Sequence, residues 1–251
     1  MSRISIRYAR SEFETHVNKL LSSLHIVPKD LDLYTLACVH RSVLNEVTDG
    51  YNASNERLEY LGDAVLELVI TEALFHEFPE KPEGELTDIR SALVRGRNLA
   101  EVARHLHFSD AIQVSRGEFN AKGHENPYIL ANTLEAIIWA LYLDNGFERA
   151  KEFIILHIFS TLSHILEKSL FVDPKSALQE LTQEVWGITP IYRVIEEVGA
   201  DHNKEYIITV SLYDVELGEW QWSSKKKWEQ SAAENALIHK SKWERKINGK
   251  K

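Results

Sequence analysis

The chain contains a single cysteine, Cys38, and a single methionine in 251 residues. One cysteine excludes an intramolecular disulfide and cannot by itself build a cysteine-based zinc site. Six prolines and 11 glycines, without a fixed period, exclude collagen-like and proline-rich chains. Long hydrophobic runs are missing too. The longest apolar stretch, Ala136 to Leu143, is too short to span a bilayer. The first ten residues turn polar early and lack the apolar segment of a signal peptide. These absences predict a cytoplasmic protein that engages no membrane. There is also no glycine-rich phosphate loop ending in Lys-Ser/Thr, no Gly-x-Ser-x-Gly elbow and no His-Glu-x-x-His pair. No nucleotide cofactor is therefore expected. His105 and His107, two apart, would not share a helix face. Cys38 next to His40 reads as a core thiol rather than half of a catalytic pair.

A surplus of positive charge is missing as well: the formal net charge is −9, which argues at first against a nucleic-acid partner. The charge is distributed unevenly. Residues 1–173 carry −9, residues 174–251 are balanced, and residues 225–251 alone carry +6. An acidic front and a locally basic tail predict two modules with different tasks. With 44% hydrophobic and 10% aromatic residues, the chain has the material for a packed core.

Residues 10 to about 170 predict helix after helix, from apolar spacings such as Leu99, Val102, Ala103, Leu106. Breaks are expected at Pro28, at Pro79 to Gly84, at Gly117 to Pro127 and at Asn145-Gly146. The Gly117–Pro127 stretch is polar and reads as a surface loop. Asp173-Pro174 predicts a new helix start, with an apolar face at Ala177, Leu178, Leu181 and Val185. β-Branched and aromatic runs predict strands over 191–198, 206–213 and about 215–223, the first two joined by 199–204. One final helix is expected from Trp228 to about Lys246. The fold class is thus an all-α N-terminal domain (1–170) followed by a small α-β-β-β-α domain of the α+β class (174–246).

The first chemical motif runs from Asn55 to Glu67. On a helix, Glu56, Glu59, Asp63 and Glu67 fall within an arc of roughly 80°, with Leu58, Leu61, Val65 and Leu68 opposite. A solvated acidic face is the ordinary reading, and two features weigh against it. Glu59 and Asp63 repel at a cost of about 0.2–0.5 kcal/mol, and Gly62 costs about 1 kcal/mol relative to Ala, which implies a packing reason. The second motif is Ala131 to Leu143, where Glu135 is the only ionisable residue apart from Tyr142, with Asn132 one turn earlier. An edge-on surface Glu is the competing reading there. Glu59, Asp63, Asn132 and Glu135 form an oxygen-only set, which suits Mg²⁺ or Mn²⁺ rather than zinc. In the C-terminal module, Lys225 and Lys226 stand where the last helix begins, adding to its positive end and forming an anion site. Gln179, Gln183 and His202 can add polar contacts.

Glu56-Arg-Leu-Glu-Tyr-Leu-Gly-Asp-Ala-Val65 resembles the signature of the bacterial ribonuclease III family. Thr133-Leu-Glu-Ala136 with Tyr142-Leu-Asp-x-Gly146 is similar to its second acidic motif, and His40-Arg-Ser42 and Glu83-Gly84 also fit. Ser224-Lys-Lys-x-x-Glu-Gln-x-Ala-Ala233 resembles the mark of the double-stranded RNA-binding domain. The resemblance implies a Mg²⁺-dependent endoribonuclease, with Mn²⁺ able to substitute. Acting as a homodimer, it would cut double-stranded RNA in the processing of ribosomal, messenger and transfer RNA. It implies catalytic roles for Asp63 and Glu135, metal ligation by Glu59, Asp63, Asn132 and Glu135, and accessory acids at Glu56 and Glu83. It implies RNA contacts for Gln179, Gln183, His202, Lys225 and Lys226. Asn132 stands where the family has Asp, bringing an oxygen without a charge. That departure sets an alternative beside the enzyme: a double-stranded-RNA-binding protein with a weakened or inactive metal site. Trp220, Trp222 and Trp228 are further departures from the small residues usual in the binding domain.

Overall fold

The computed structural model describes residues 6–46, 52–171, 173–198, 205–222 and 228–248. The chain divides into two compact units, 1–171 and 172–251. The N-terminal unit contains α1 (Arg10–Ser23), α2 (Leu31–Ala37), α3 (Glu56–Glu77), α4 (Glu83–Leu93), α5 (Gly96–His105), α6 (Arg116–Asn120), α7 (Pro127–Asn145), α8 (Phe147–His157) and α9 (Leu162–Glu167). Short 3-10 turns lie at Arg41–Asn45, Phe108–Asp110, Gly123–Glu125 and Phe159–Thr161. No helix among the described residues is long and apolar enough to cross a membrane.

The apolar sequence of α7 makes it the centre of this unit. A helix that is apolar on every side must be surrounded, and α2, α3, α5 and α8 all pack on it. Asn126 caps its start by accepting the N–H of Tyr128 at 2.9 Å, and Pro127 occupies the first turn, where its missing N–H costs nothing. At the other end, the Asp144 carboxylate accepts the N–H groups of Lys29 and Asp30 at 2.9 and 3.0 Å and the Tyr34 hydroxyl at 3.0 Å. That clasp fixes the end of α7 to the start of α2.

Along α3, Leu58, Val65, Leu66, Val69, Ile70 and Leu74 are buried. The expectation for Leu61 and Leu68 is corrected: both are exposed, Leu68 by 59%, because the partners of α3 lie on the Leu66 and Val69 side. The Gly117–Pro127 stretch is likewise not a plain loop. It carries most of α6 and a 3-10 turn, with Ser115 accepting the N–H of Glu118 at 3.1 Å and Phe119 stacked on His124.

The C-terminal unit contains α10 (Pro174–Trp186), β1 (Ile191–Val198), β2 (Glu205–Leu212), β3 (Val215–Trp222), α11 (Trp228–Ile238) and α12 (Lys240–Asn248). Asp173 caps α10 by accepting the N–H of Ser176. The strands form an antiparallel sheet in the order β1-β2-β3, with Tyr192 opposite Val210 and Val210 opposite Gly218. Leu178, Val210, Leu212, Leu217, Ala232, Ala236 and Trp243 make its core. Two expectations are corrected here. Val185 is exposed, the inward side of α10 being set by Leu178 and Thr182. The final helix is two helices, broken at His239: the buried Trp243 indole N–H takes the Ala236 carbonyl at 2.7 Å, which the N–H of Lys240 would otherwise occupy.

At Gly62 the backbones of α3 and α7 approach closely. A Cβ placed on Gly62 would lie 1.9 Å from the Glu135 carbonyl oxygen and 2.6 Å from its carbon. Backbone cannot move aside as a side chain can. Gly62→Ala is therefore expected to lower stability by about 2–3 kcal/mol. Gly84→Ala, where a Cβ meets nothing within 4 Å, leaves stability unchanged or raises it by up to about 1 kcal/mol. Denaturant midpoints of the two variants check the contrast, and equal midpoints would contradict it.

Candidate active site

The contact at Gly62 decides what faces what. Glu59 and Asp63 flank Gly62 on α3, and Asn132 and Glu135 lie one turn apart on α7. With the two backbones in contact, all four side chains line one cleft, which Glu56, Glu118 and His40 also line. Burial, with Asp63 and Glu59 adding to it, pushes the Glu135 carboxyl up to about 8. Burial also raises Glu59, against a side-chain hydrogen bond from Asn132 that favours its ionised form; Glu56 and Asp63 raise it further. Among the described residues no Lys, Arg or His pairs with Glu59, Asp63 or Glu135. No three His, Cys, Asp or Glu side chains among the described residues stand together as a finished metal cage. Helix contact supplies the grouping of these side chains along one cleft.

The other acids separate in the structure. Glu67, grouped with the cleft acids by its position on the helix, is paired with Arg90 Nε at 3.1 Å, a cation brought by α4. Glu56 remains at the cleft, accepting from Ser54 at 2.9 Å with Arg41 at 3.5 Å. Glu83 is not brought to the cleft of its own chain. It sits at the start of α4 and accepts from the Thr87 hydroxyl at 3.0 Å. Cys38 is fully buried, and burial pushes its thiol up to about 12, as befits an inert core residue.

Glu118 and Asn55 are among the cleft residues that escaped the sequence reading. Glu118 carried a legible signal, since Ser115-Arg-Gly-Glu118 has the Ser-x-x-Glu spacing of a helix start. Asn55 reads only as the edge of a motif, but its buried amide donates to the Ala37 carbonyl at 3.2 Å and fixes the start of α3. In the C-terminal unit, Gln179 is half-buried on α10, and Gln183, one turn later, is exposed and donates to Thr189 Oγ1 at 3.0 Å. His202, Lys225 and Lys226 lie outside the described residues. Trp220 and Trp222 stand on β3 in register with Ile208 and Tyr206, and Trp228 opens α11.

The raised Glu135 carboxyl has a consequence for stability. An acid held above its ordinary 4.5 favours the folded state while protonated, and that advantage is lost as pH rises toward 8. In metal-free buffer the wild type is expected to lose stability relative to Glu135→Gln between about pH 5 and 8, the Gln variant mimicking the neutral acid throughout. Melting curves across that range test this. A difference that does not vary with pH would contradict the burial of this carboxyl.

Comparison with known proteins places these features in a family. Residues 30–162 match the ribonuclease-III-like family model, and residues 174–239 match the double-stranded RNA binding motif. Ribonuclease 3 of Borreliella burgdorferi is 37% identical over 227 residues, covering 90% of this chain and 92% of that protein. Ribonuclease 3 of Campylobacter jejuni is 42% identical over 222 residues, covering 88% and 96%. A crystal structure of the nuclease domain of ribonuclease III from Campylobacter jejuni is similar at 42% identity with a TM-score of 0.52, over 57% of this chain and 94% of that one. A second structure of that domain, with a TM-score of 0.53, is described as flexible in a region involved in dimer formation. Matched in both units and over most of its length, the chain belongs to the ribonuclease III family.

Proposed function

We propose that this protein is a cytoplasmic endoribonuclease that hydrolyses phosphodiester bonds of double-stranded RNA, in the processing and maturation of RNA. The observation that carries the reading is the grouping of Glu59, Asp63, Asn132 and Glu135 by the Gly62 contact. A half-buried carboxyl beside two others, with no protein cation paired to them among the described residues, fits a divalent ion held by oxygen. Glu59, Asp63, Asn132 and Glu135 would hold Mg²⁺, with Mn²⁺ able to replace it. When bound, the ion supplies the Lewis acidity that activates a water and stabilises the leaving 3′ oxygen.

Asp63 and Glu135 are the catalytic carboxylates in this reading. Glu135 would give up its proton to serve as a ligand, and the hydrogen bond from Asn132 favours the ionised form of Glu59 against the burial that raises it. The C-terminal unit holds the duplex. Gln179 and Gln183, one turn apart on α10, suit 2′-hydroxyls of a minor groove, while Lys225 and Lys226 suit phosphates and His202 adds a further contact. The active unit is a homodimer. Leu61, Leu68 and Phe75 recur every seven residues on α3, and Phe75 is 65% exposed. With Tyr60, which also lines the cleft, they form an apolar stripe that a second copy would cover. The non-cleaving alternative rests on Asn132 alone and gains no further observation.

Cleavage of a labelled RNA duplex, with and without Mg²⁺, tests the reading. Wild type is expected to cut only with metal, and Glu135→Gln to bind the duplex in Ca²⁺ without cutting it. Asn132→Asp adds a ligand charge and is expected to cut at lower Mg²⁺. A wild type that binds but never cuts in Mg²⁺ or Mn²⁺ would overturn the proposal.

A further inference from the structure

His40 stands outside the acid set but lines the same cleft, and the roles of its ring nitrogens follow from fixed donors around it. The backbone N–H of Ser42 points at His40 Nδ1 from 3.3 Å, capping the turn at Arg41–Asn45. A backbone N–H can only donate, so Nδ1 accepts. The Ser42 hydroxyl oxygen takes the N–H of Ser115 at 3.0 Å and lies 2.9 Å from the same Nδ1. Because Nδ1 already accepts from the Ser42 N–H, the Ser42 hydroxyl meets it as a donor, its oxygen keeping a lone pair for Ser115. Two donors thus converge on one nitrogen, and the proton of the neutral ring is left on Nε2. Among the described residues Nε2 has no hydrogen-bond partner. The backbone is anchored as well, His40 N–H donating to the Gln113 carbonyl at 3.0 Å.

The charged groups around the ring are Glu118, Arg41 and Glu56. Burial is the largest influence and holds the imidazole below its ordinary value; Glu118 and Glu56 oppose it, and Arg41 reinforces it. The ring is therefore a donor without a charge. A lysine in its place would pair with the neighbouring acids, whereas a neutral N–H remains available to an acceptor from outside.

We propose that His40 is a substrate-contacting residue, whose Nε2–H donates a hydrogen bond to a phosphate oxygen of the RNA strand in the cleft. The proposal rests on the reading of the cleft as an RNA-cleaving site. It assigns to His40 the contact, and to Ser42 and Ser115 the positioning of its tautomer.

Two substitutions separate the contact from the cap. In His40→Asn the side-chain oxygen can still accept from Ser42 N–H, a favourable helix cap, but nothing replaces Nε2–H. In His40→Gln the amide N–H extends to about the Nε2 position, while the cap is lost. Single-turnover cleavage of a labelled duplex at saturating Mg²⁺, with melting temperatures, reads both. His40→Asn is expected to melt near wild type and cut roughly 10- to 100-fold more slowly. His40→Gln is expected to melt lower and recover a measurable part of that rate. His40→Asn cutting at the wild-type rate, or His40→Gln cutting more slowly than His40→Asn, would reduce His40 to a cap and overturn the proposal. A wild type that does not cut at all would overturn the cleavage reading and this proposal together.

Discussion

At position 62 any side chain would put its Cβ inside the backbone carbonyl of Glu135, and the cleft depends on the space that glycine leaves. Two helices normally pack through side chains, with axes 8–10 Å apart. Where one of them offers no Cβ, the backbone of the other moves in. The carboxylates on either side of the contact then face each other across one cleft, at an electrostatic cost that neither helix bears alone. The apolar surroundings of α7 and the Asp144 clasp at its end oppose any relaxation of that geometry. Stability is thus spent on holding like charges together, which is the expected signature of a site completed by something from outside.

Much of this was legible in the residues. The arc of Glu56, Glu59 and Asp63 and the isolation of Glu135 in an apolar helix marked the cleft, and Gly62 marked the contact. What periodicity could not reveal was tertiary. Glu67 lies on the same arc, but Arg90 arrives from α4 to neutralise it. Leu61 and Leu68 are as apolar as Leu58, yet nothing in the sequence tells which side of α3 meets a neighbour. Glu118 was hidden by composition, since a polar, glycine-containing stretch looks like a loop until the Ser115 cap is noticed. The break at His239 follows from one buried indole N–H, which no helix pattern records.

The two units divide the electrostatic work. An acidic cleft repels a phosphodiester strand, and the repulsion is confined to about 8 Å at physiological ionic strength. The surplus of cationic side chains in residues 225–251 belongs to the other unit and can attract the same polymer. Within the cleft, donors that carry no charge avoid being captured by the acids, and the His40 tautomer supplies one.

The central claim is that backbone contact, rather than the mere presence of four oxygen-bearing side chains, makes the cation site. Mn²⁺ binding, followed by the loss of the free ion's paramagnetic resonance signal, tests this most directly in wild type and Gly62→Ala at a temperature where both are folded. Gly62→Ala keeps Glu59, Asp63, Asn132 and Glu135, so the account predicts saturable binding by wild type and about tenfold or greater weakening in the variant. Equal affinity in the two folded proteins, or no saturable binding by wild type, would contradict it.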